Sequence, residues 1–187
     1  MKMNLPNKIT MFRVVLIPVF VVLMLLPDIP FYNFIALTVF SIACITDFLD
    51  GYLARKYKLV TNFGKFMDPL ADKVLVSTAM ILLVEMGMIP GWIAATILAR
   101  EFIISGFRLV AADAGIVIAA SYIAKFKTVF QMFMCIFMIF TCDRDNTGWF
   151  FDFIDVLGKI CMWIALALTV ISLVDYIYKN REVIKDK

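Results

Sequence analysis

Long stretches without a single charge, separated by short polar or proline-containing segments, set the pattern of this chain. Residues 29–46, 74–84, 86–99 and 128–142 contain no Asp, Glu, Lys or Arg. Apolar flanks extend each run toward the roughly 20 residues that a helix needs to cross a bilayer. The pattern predicts six transmembrane helices over about 9–26, 31–55, 63–86, 91–112, 121–142 and 151–178. Short connections follow at 27–30, 87–90 and 142–148, the first two carrying Pro27, Pro30, Gly87 and Pro90. With no repeat, low-complexity tract or soluble segment, the expected architecture is an all-α integral membrane protein forming one domain over 1–187.

Composition supports this reading. Hydrophobic residues are 63% of the chain and charged residues 18%, against about 45–50% and about 25% in soluble domains. The basic residues are unevenly placed. If the N-terminus is cytoplasmic, the inner helix ends collect Lys2, Lys8, Arg55, Lys56, Lys58, Lys65, Lys125 and Lys127, plus Lys179, Arg181, Lys185 and Lys187 in the tail. The outer loops hold Arg144. This bias puts both termini in the cytoplasm and the protein in the cytoplasmic membrane. The net charge of +3 is then a topology signal, without the concentrated basic face that nucleic-acid binding requires. Residues 14–26 follow Lys2 and Lys8 like a secretory signal but lack a small-x-small cleavage site, so they are expected to stay as the first helix.

The chain has no histidine, which leaves acid–base and metal chemistry to carboxylates, lysines, tyrosines and thiols. Its four cysteines, Cys44, Cys135, Cys142 and Cys161, match no zinc or redox spacing and read as small buried hydrophobes. Carboxylates are where the sequence departs from an ordinary set of spans. An aspartate at mid-membrane costs about 2.5–3.5 kcal/mol, yet Asp47, Asp50, Asp68 and Asp72 lie in or beside two consecutive helices. Asp47, Asp50, Gly51 and Ala54 fall at offsets of three, four and seven, on one helical face. Gly64, Asp68 and Asp72 form a second stripe, rising about 6 Å per step.

Helices two and three are expected to be antiparallel neighbours, so the two stripes can face each other at the inner membrane edge. Gly51, Ala54 and Gly64 keep those faces free of bulk, leaving room for a flat base or a phosphate. Four facing carboxylates cannot all stay ionised uncompensated. Two divalent ions balance them, and all-oxygen ligation selects Mg²⁺ or Mn²⁺ over zinc. Such a pair polarises phosphate oxygens and stabilises a leaving phosphate, and Arg55 adds positive charge for a diphosphate.

The stretch from Asp47 to Asp72, D-x2-D-G-x2-A-R-x8-G-x3-D-x3-D, resembles the signature of the CDP-alcohol phosphotransferases at every signature position. The six-helix hydropathy extends the resemblance over nearly the whole chain. It implies a six-helix, usually dimeric fold with its site at the cytoplasmic membrane edge. By the same analogy Asp47, Asp50, Asp68 and Asp72 hold the metals, Asp72 takes the proton from the acceptor hydroxyl, and Gly51, Ala54, Arg55 and Gly64 shape the CDP pocket together with the aspartates.

The remaining polar residues at the inner edge bear on the acceptor. Asn7, Thr10 and Arg13 open helix one, Arg100, Glu101 and Arg108 lie in helix four, and Lys125, Lys127, Thr128 and Gln131 begin helix five. Arg13, Arg100, Arg108, Lys125 and Lys127 together are a costly excess of positive charge, which a phosphorylated acceptor accounts for. Singly, the lysines also read as topology anchors, and Arg100 as a partner of Glu101 or Asp113. The segments Leu5-Pro6-Asn7-Lys8-Ile9-Thr10-Met11-Phe12-Arg13, Ala99-Arg100-Glu101-Phe102 and Lys125-Phe126-Lys127-Thr128 are similar to the bacterial phosphatidylglycerophosphate-forming branch of the family. That similarity implies CDP-diacylglycerol as donor and glycerol 3-phosphate as acceptor.

Two other readings remain at this point. Inositol phosphate also carries a phosphate and suits the cations, whereas serine does not need them. A divalent-cation channel or transporter would use the aspartates as an ion path. The acids, however, crowd to the inner side, and Asp152 and Asp155 lie at the outer end of helix six.

Overall fold

A computed structural model describes residues 5–57, 62–113, 122–143 and 147–179, with side chains for all of these except 5–6, 48, 50–55, 62–69, 72, 109–113 and 179. It is all-helical, with no strand among the described residues. Six helices run α1 Leu5–Met24, α2 Tyr32–Lys56, α3 Asn62–Glu85, α4 Gly91–Asp113, α5 Tyr122–Thr141 and α6 Trp149–Lys179. Each lies within a few residues of its expected position. The largest difference is at α1, which starts four residues earlier, at Leu5. Pro6 falls in its first turn, where a missing N–H breaks no helical hydrogen bond.

The helix ends follow local chemistry. Between α1 and α2 the chain turns through 25–31 with short-range bonds such as Ile29 N–H to the Leu26 carbonyl at 3.2 Å. Phe31 completes this turn at φ 59°, an uncommon left-handed conformation for a residue with a side chain. The α3 end is a glycine cap: Gly87 adopts φ 75°, its N–H donates to Val84, and the Met88 N–H donates to Leu83 at 2.9 Å. Pro90 then opens α4, its carbonyl accepting from Ile93 and Ala94.

Packing closes the helices into a ring in the order α1, α2, α5, α6, α4, α3, with α3 also touching α2 and α5. The apolar core includes Phe20, Phe40, Leu75, Met80, Leu83, Ile93, Ile97, Met134 and Met138. The Phe20 and Phe40 rings sit 5.6 Å apart between α1 and α2. Small residues set the close approaches, as expected where helices gain from van der Waals packing more than from escaping water. Ala36, Ala43, Ala79 and Ala165 are fully buried. A methyl on Gly158 of α6 would meet Met138 Cγ of α5 at 3.1 Å.

Polarity is distributed inside out relative to a soluble bundle. Arg13 and Lys127 are wholly buried, and Arg100 and Gln131 nearly so, while Phe102, Phe126, Val174 and many other apolar side chains face outward. Asn33 binds the bundle from within, donating from Nδ2 to the Phe140 carbonyl at 2.9 Å. Among the described residues, three helices are long and apolar enough to cross a membrane: Asn7–Met24, Tyr122–Thr141 and Trp149–Tyr178. In α2 the apolar part ends at Asp47, leaving a shorter stretch, Tyr32–Asp47. This is a membrane protein.

Candidate active site

The acidic signature occupies the last three turns of α2 and the first three of α3, and both segments are helical. The side chains of Asp50, Gly51, Ala54, Arg55, Gly64, Asp68 and Asp72 lie outside the described ones. Asp47 is described, and it has a specific partner: Arg13 Nη1 of α1 lies 2.7 Å from its Oδ1. The arginine side chain is 0% exposed and the aspartate 36%. Asn7, Thr10 and Arg13 are all buried, and they recur every three residues along one side of α1. Among the described residues no cluster of three metal-ligating side chains occurs.

A cavity of about 180 Å³ opens between α3, α4, α5 and α6. Arg100, Glu101, Ile104, Ser105 and Arg108 form one wall, at helical offsets that put all five on one side of α4. Ala124, Lys125 and Thr128 of α5 face them, Lys73 enters from α3 and Tyr176 from the end of α6. Lys73 directly follows the signature residue Asp72, so the cavity adjoins the acidic segment of α3. A smaller cavity of about 30 Å³, lined by Lys73, Val76, Ser77, Glu101, Thr128 and Gln131, continues inward. It has room for about one water.

Among the described residues, the lining carries four cations and one carboxylate. Glu101 Oε1 accepts from Arg100 Nη1 at 3.0 Å and from Lys127 Nζ. The Ser105 hydroxyl donates to the Glu101 carbonyl at 2.5 Å and accepts from Lys73 Nζ. Arg108 is an electrostatic neighbour of Tyr176, whose ring packs edge-on against Phe107 at 5.5 Å. Two buried guanidinium donors, Arg100 Nε and Arg108 Nε, meet no acceptor among the described residues. Buried donors without acceptors are costly. Here they border a cavity whose lining has a formal excess of three positive charges, four minus one. An anion satisfies both deficits.

Of the residues singled out in the sequence, Arg100, Glu101, Arg108, Lys125 and Thr128 come together in this cavity, and Gln131 in its inward extension. Gln131 also donates from Nε2 to Met80 Sδ at 3.1 Å. Lys127 and Arg13 are placed elsewhere. Lys127 points into the α4–α5 contact and holds Glu101, and Arg13 holds Asp47. Lys125 lines the cavity itself, whereas Lys127, two residues on, meets its wall through Glu101. Lys73, Ser105 and Tyr176 were not foreseen. Ser105 had a legible signal, one turn beyond Glu101 on the face that ends at Arg108.

Outward-facing apolar helices around an acidic signature and a cation-lined cavity describe a membrane-embedded protein built to handle anionic groups. The family model for CDP-alcohol phosphatidyltransferases matches residues 3–171, and the chain belongs to that family. Among its relatives is a Bacillus subtilis protein named CDP-diacylglycerol–glycerol-3-phosphate 3-phosphatidyltransferase, 42% identical over 194 aligned positions, covering 97% of both chains. Proteins of the same name from Rickettsia bellii, 40% identical over 90% of this chain and 91% of the relative, and from Shigella flexneri, 38% identical over the whole of both, are similar to it as well.

Proposed function

We propose that this chain transfers the phosphatidyl group of CDP-diacylglycerol to the 1-hydroxyl of sn-glycerol 3-phosphate, giving phosphatidylglycerophosphate and CMP. The observation that carries the acceptor assignment is the cavity with four cations and one carboxylate beside the acidic segment of α3. The relatives' shared name supports the donor and the reaction.

In this reading the whole chain, 1–187, is one membrane domain. It crosses the cytoplasmic membrane six times with both termini inside, and it works as a homodimer. The lengths of α2, α3 and α4, 25, 24 and 23 residues, suit spanning despite their charged inner ends. Asp47, Asp50, Asp68 and Asp72 are the metal ligands. An all-carboxylate donor set without imidazole or thiolate fits a hard ion such as Mg²⁺ or Mn²⁺. Two such ions, when bound, neutralise the diphosphate and stabilise the departing CMP.

The chain's own residues do the rest. Gly51, Ala54 and Gly64 leave room for the nucleotide, and Arg55 adds charge beside its diphosphate. Arg108 and Lys125, with Arg100, hold the acceptor phosphate. Lys127 acts through Glu101, and Arg13 through Asp47. Asp72 removes the proton from the 1-hydroxyl as that oxygen bonds to the lipid-side phosphorus and the bond from phosphorus to the CMP oxygen breaks.

The test is purified protein with CDP-diacylglycerol and, separately, glycerol 3-phosphate, inositol phosphate, serine and glycerol, with lipid products resolved and CMP measured. Product from glycerol 3-phosphate far above the others is expected. Preference for inositol phosphate would move the chain to another acceptor within the family. Cation flux in liposomes without any CMP release would remove the enzymatic reading.

A further inference from the structure

Among the described residues, the cavity is rich in donors and has a single charged acceptor, Glu101. Lys73, Arg100, Arg108 and Lys125 can only donate. The hydroxyls of Ser105 and Thr128 spend their protons on the carbonyls of Glu101 and Ala124. Arg100 and Lys127 both converge on Oε1 of Glu101, and Oε2 has no polar partner among the described residues. Glu101 borders both the main cavity and its inward extension. These ion pairs thus engage one oxygen of a cavity-lining carboxylate and leave the other uncommitted among the described residues.

A phosphate cannot use that oxygen, because two anions repel. A hydroxyl can. Glu101 and Arg108 are two turns apart on α4, about 10 Å along the axis, and the long side chains of Arg108 and Lys125 shorten that span. The arrangement suits a short molecule with a phosphate at one end and a free hydroxyl further along. We propose that Glu101 is a specificity-determining residue: its Oε2 accepts a hydrogen bond from a non-reacting hydroxyl of the phosphorylated acceptor, which in glycerol 3-phosphate is the 2-hydroxyl. This rests on the acceptor assignment above and adds the group that reads the carbon chain.

The test compares glycerol 3-phosphate with propane-1,3-diol monophosphate, which keeps the attacking hydroxyl and the phosphate but lacks the 2-hydroxyl. A charge-assisted hydrogen bond is worth about one to two decades in affinity. The wild type is therefore expected to prefer glycerol 3-phosphate by roughly tenfold or more in kcat/KM, chiefly through KM. Glu101→Gln should lose most of that preference, with KM for the deoxy acceptor changing much less. Glu101→Asp keeps the charge for Arg100 and Lys127 while drawing the carboxylate back from the cavity. It carries the same comparison should the Gln variant fold poorly.

A purely structural Glu101 would lower activity on both acceptors in parallel and leave the ratio intact, which overturns the proposal. So does a wild type that uses both acceptors equally well. If the wild type makes lipid from neither but does so from another acceptor, the glycerol 3-phosphate reading itself fails, and this inference fails with it.

Discussion

Arg13 and Asp47 form an ion pair of 2.7 Å between α1 and α2, with the guanidinium wholly buried and the carboxylate about one third open. The pair ties the first helix to the first aspartate of the family signature. A residue that sequence reasoning grouped with the acceptor cations is thus attached to the proposed metal side of the site.

Asp47→Ala is therefore expected to destabilise the protein whether or not metal is present, because it takes the carboxylate away from a buried arginine. Breaking a buried pair costs about 3–5 kcal/mol, and the partial exposure of Asp47 puts this case at the lower end. Thermal unfolding in detergent with excess chelator measures it. An unchanged midpoint would mean that the pair contributes nothing to the fold.

Turnover should stop on chelation and return with Mg²⁺ or Mn²⁺, since four carboxylates without nitrogen ligands prefer hard ions. CMP release before and after metal addition is the readout. Full activity in excess chelator contradicts the two-ion site.

Asp72→Asn removes the proposed base while preserving size. A positioned base contributes about 10²–10⁴-fold in rate, so turnover should fall by that range while CDP-lipid binding largely persists. A variant retaining more than half of wild-type turnover would reassign the base.

Arg108→Ala should raise KM for glycerol 3-phosphate by about one to two decades, the worth of a charge-assisted hydrogen bond. The phosphate contributes binding and takes no part in bond making, so kcat should fall less and KM for CDP-diacylglycerol should barely move. Steady-state kinetics with each substrate varied in turn decides it. If alanine at 108 and at 125 each leaves acceptor KM unchanged, these cations are topology anchors.

The inward face of Gly158 lies 3.1 Å from Met138 Cγ when a methyl is built there. Gly158→Val should overfill the α5–α6 contact and cost about 1–3 kcal/mol. The expected result is a lower thermal midpoint, with acceptor KM unaffected in the folded fraction. A midpoint equal to wild type would show that Met138 yields freely.

The helices were legible because long apolar stretches interrupted at Pro27, Gly87 and Pro90 leave little freedom about where a helix starts and stops. Three cations of the cavity, Arg100, Arg108 and Lys125, were legible one by one, since a charge beside an apolar run needs a reason; Lys73 was not. Nor was the partition of the cations. Whether Arg13 meets Asp47 or the cavity depends on which helix lies beside α1, and the ring order is a tertiary outcome that no local pattern encodes. Lys127 differs from Lys125 for a simpler reason: two residues on, a helix has turned far round, and Lys127 reaches Glu101 where Lys125 lines the cavity. Tyr176 lies 68 residues after Arg108 and looks like any interfacial tyrosine until α6 is packed against α4.

That last contact bears on how the protein is made. The wall of the cation-lined cavity includes Tyr176, in the last two turns of α6, which is synthesised after the five preceding helices. A chain that ends before α6 already carries the acidic signature and the described lining cations Lys73, Arg100, Arg108 and Lys125, but lacks the Tyr176 side of the cavity. The cavity is thus complete only when the final helix has joined the bundle, so anion binding there, and with it the proposed acceptor site, is expected to require α6.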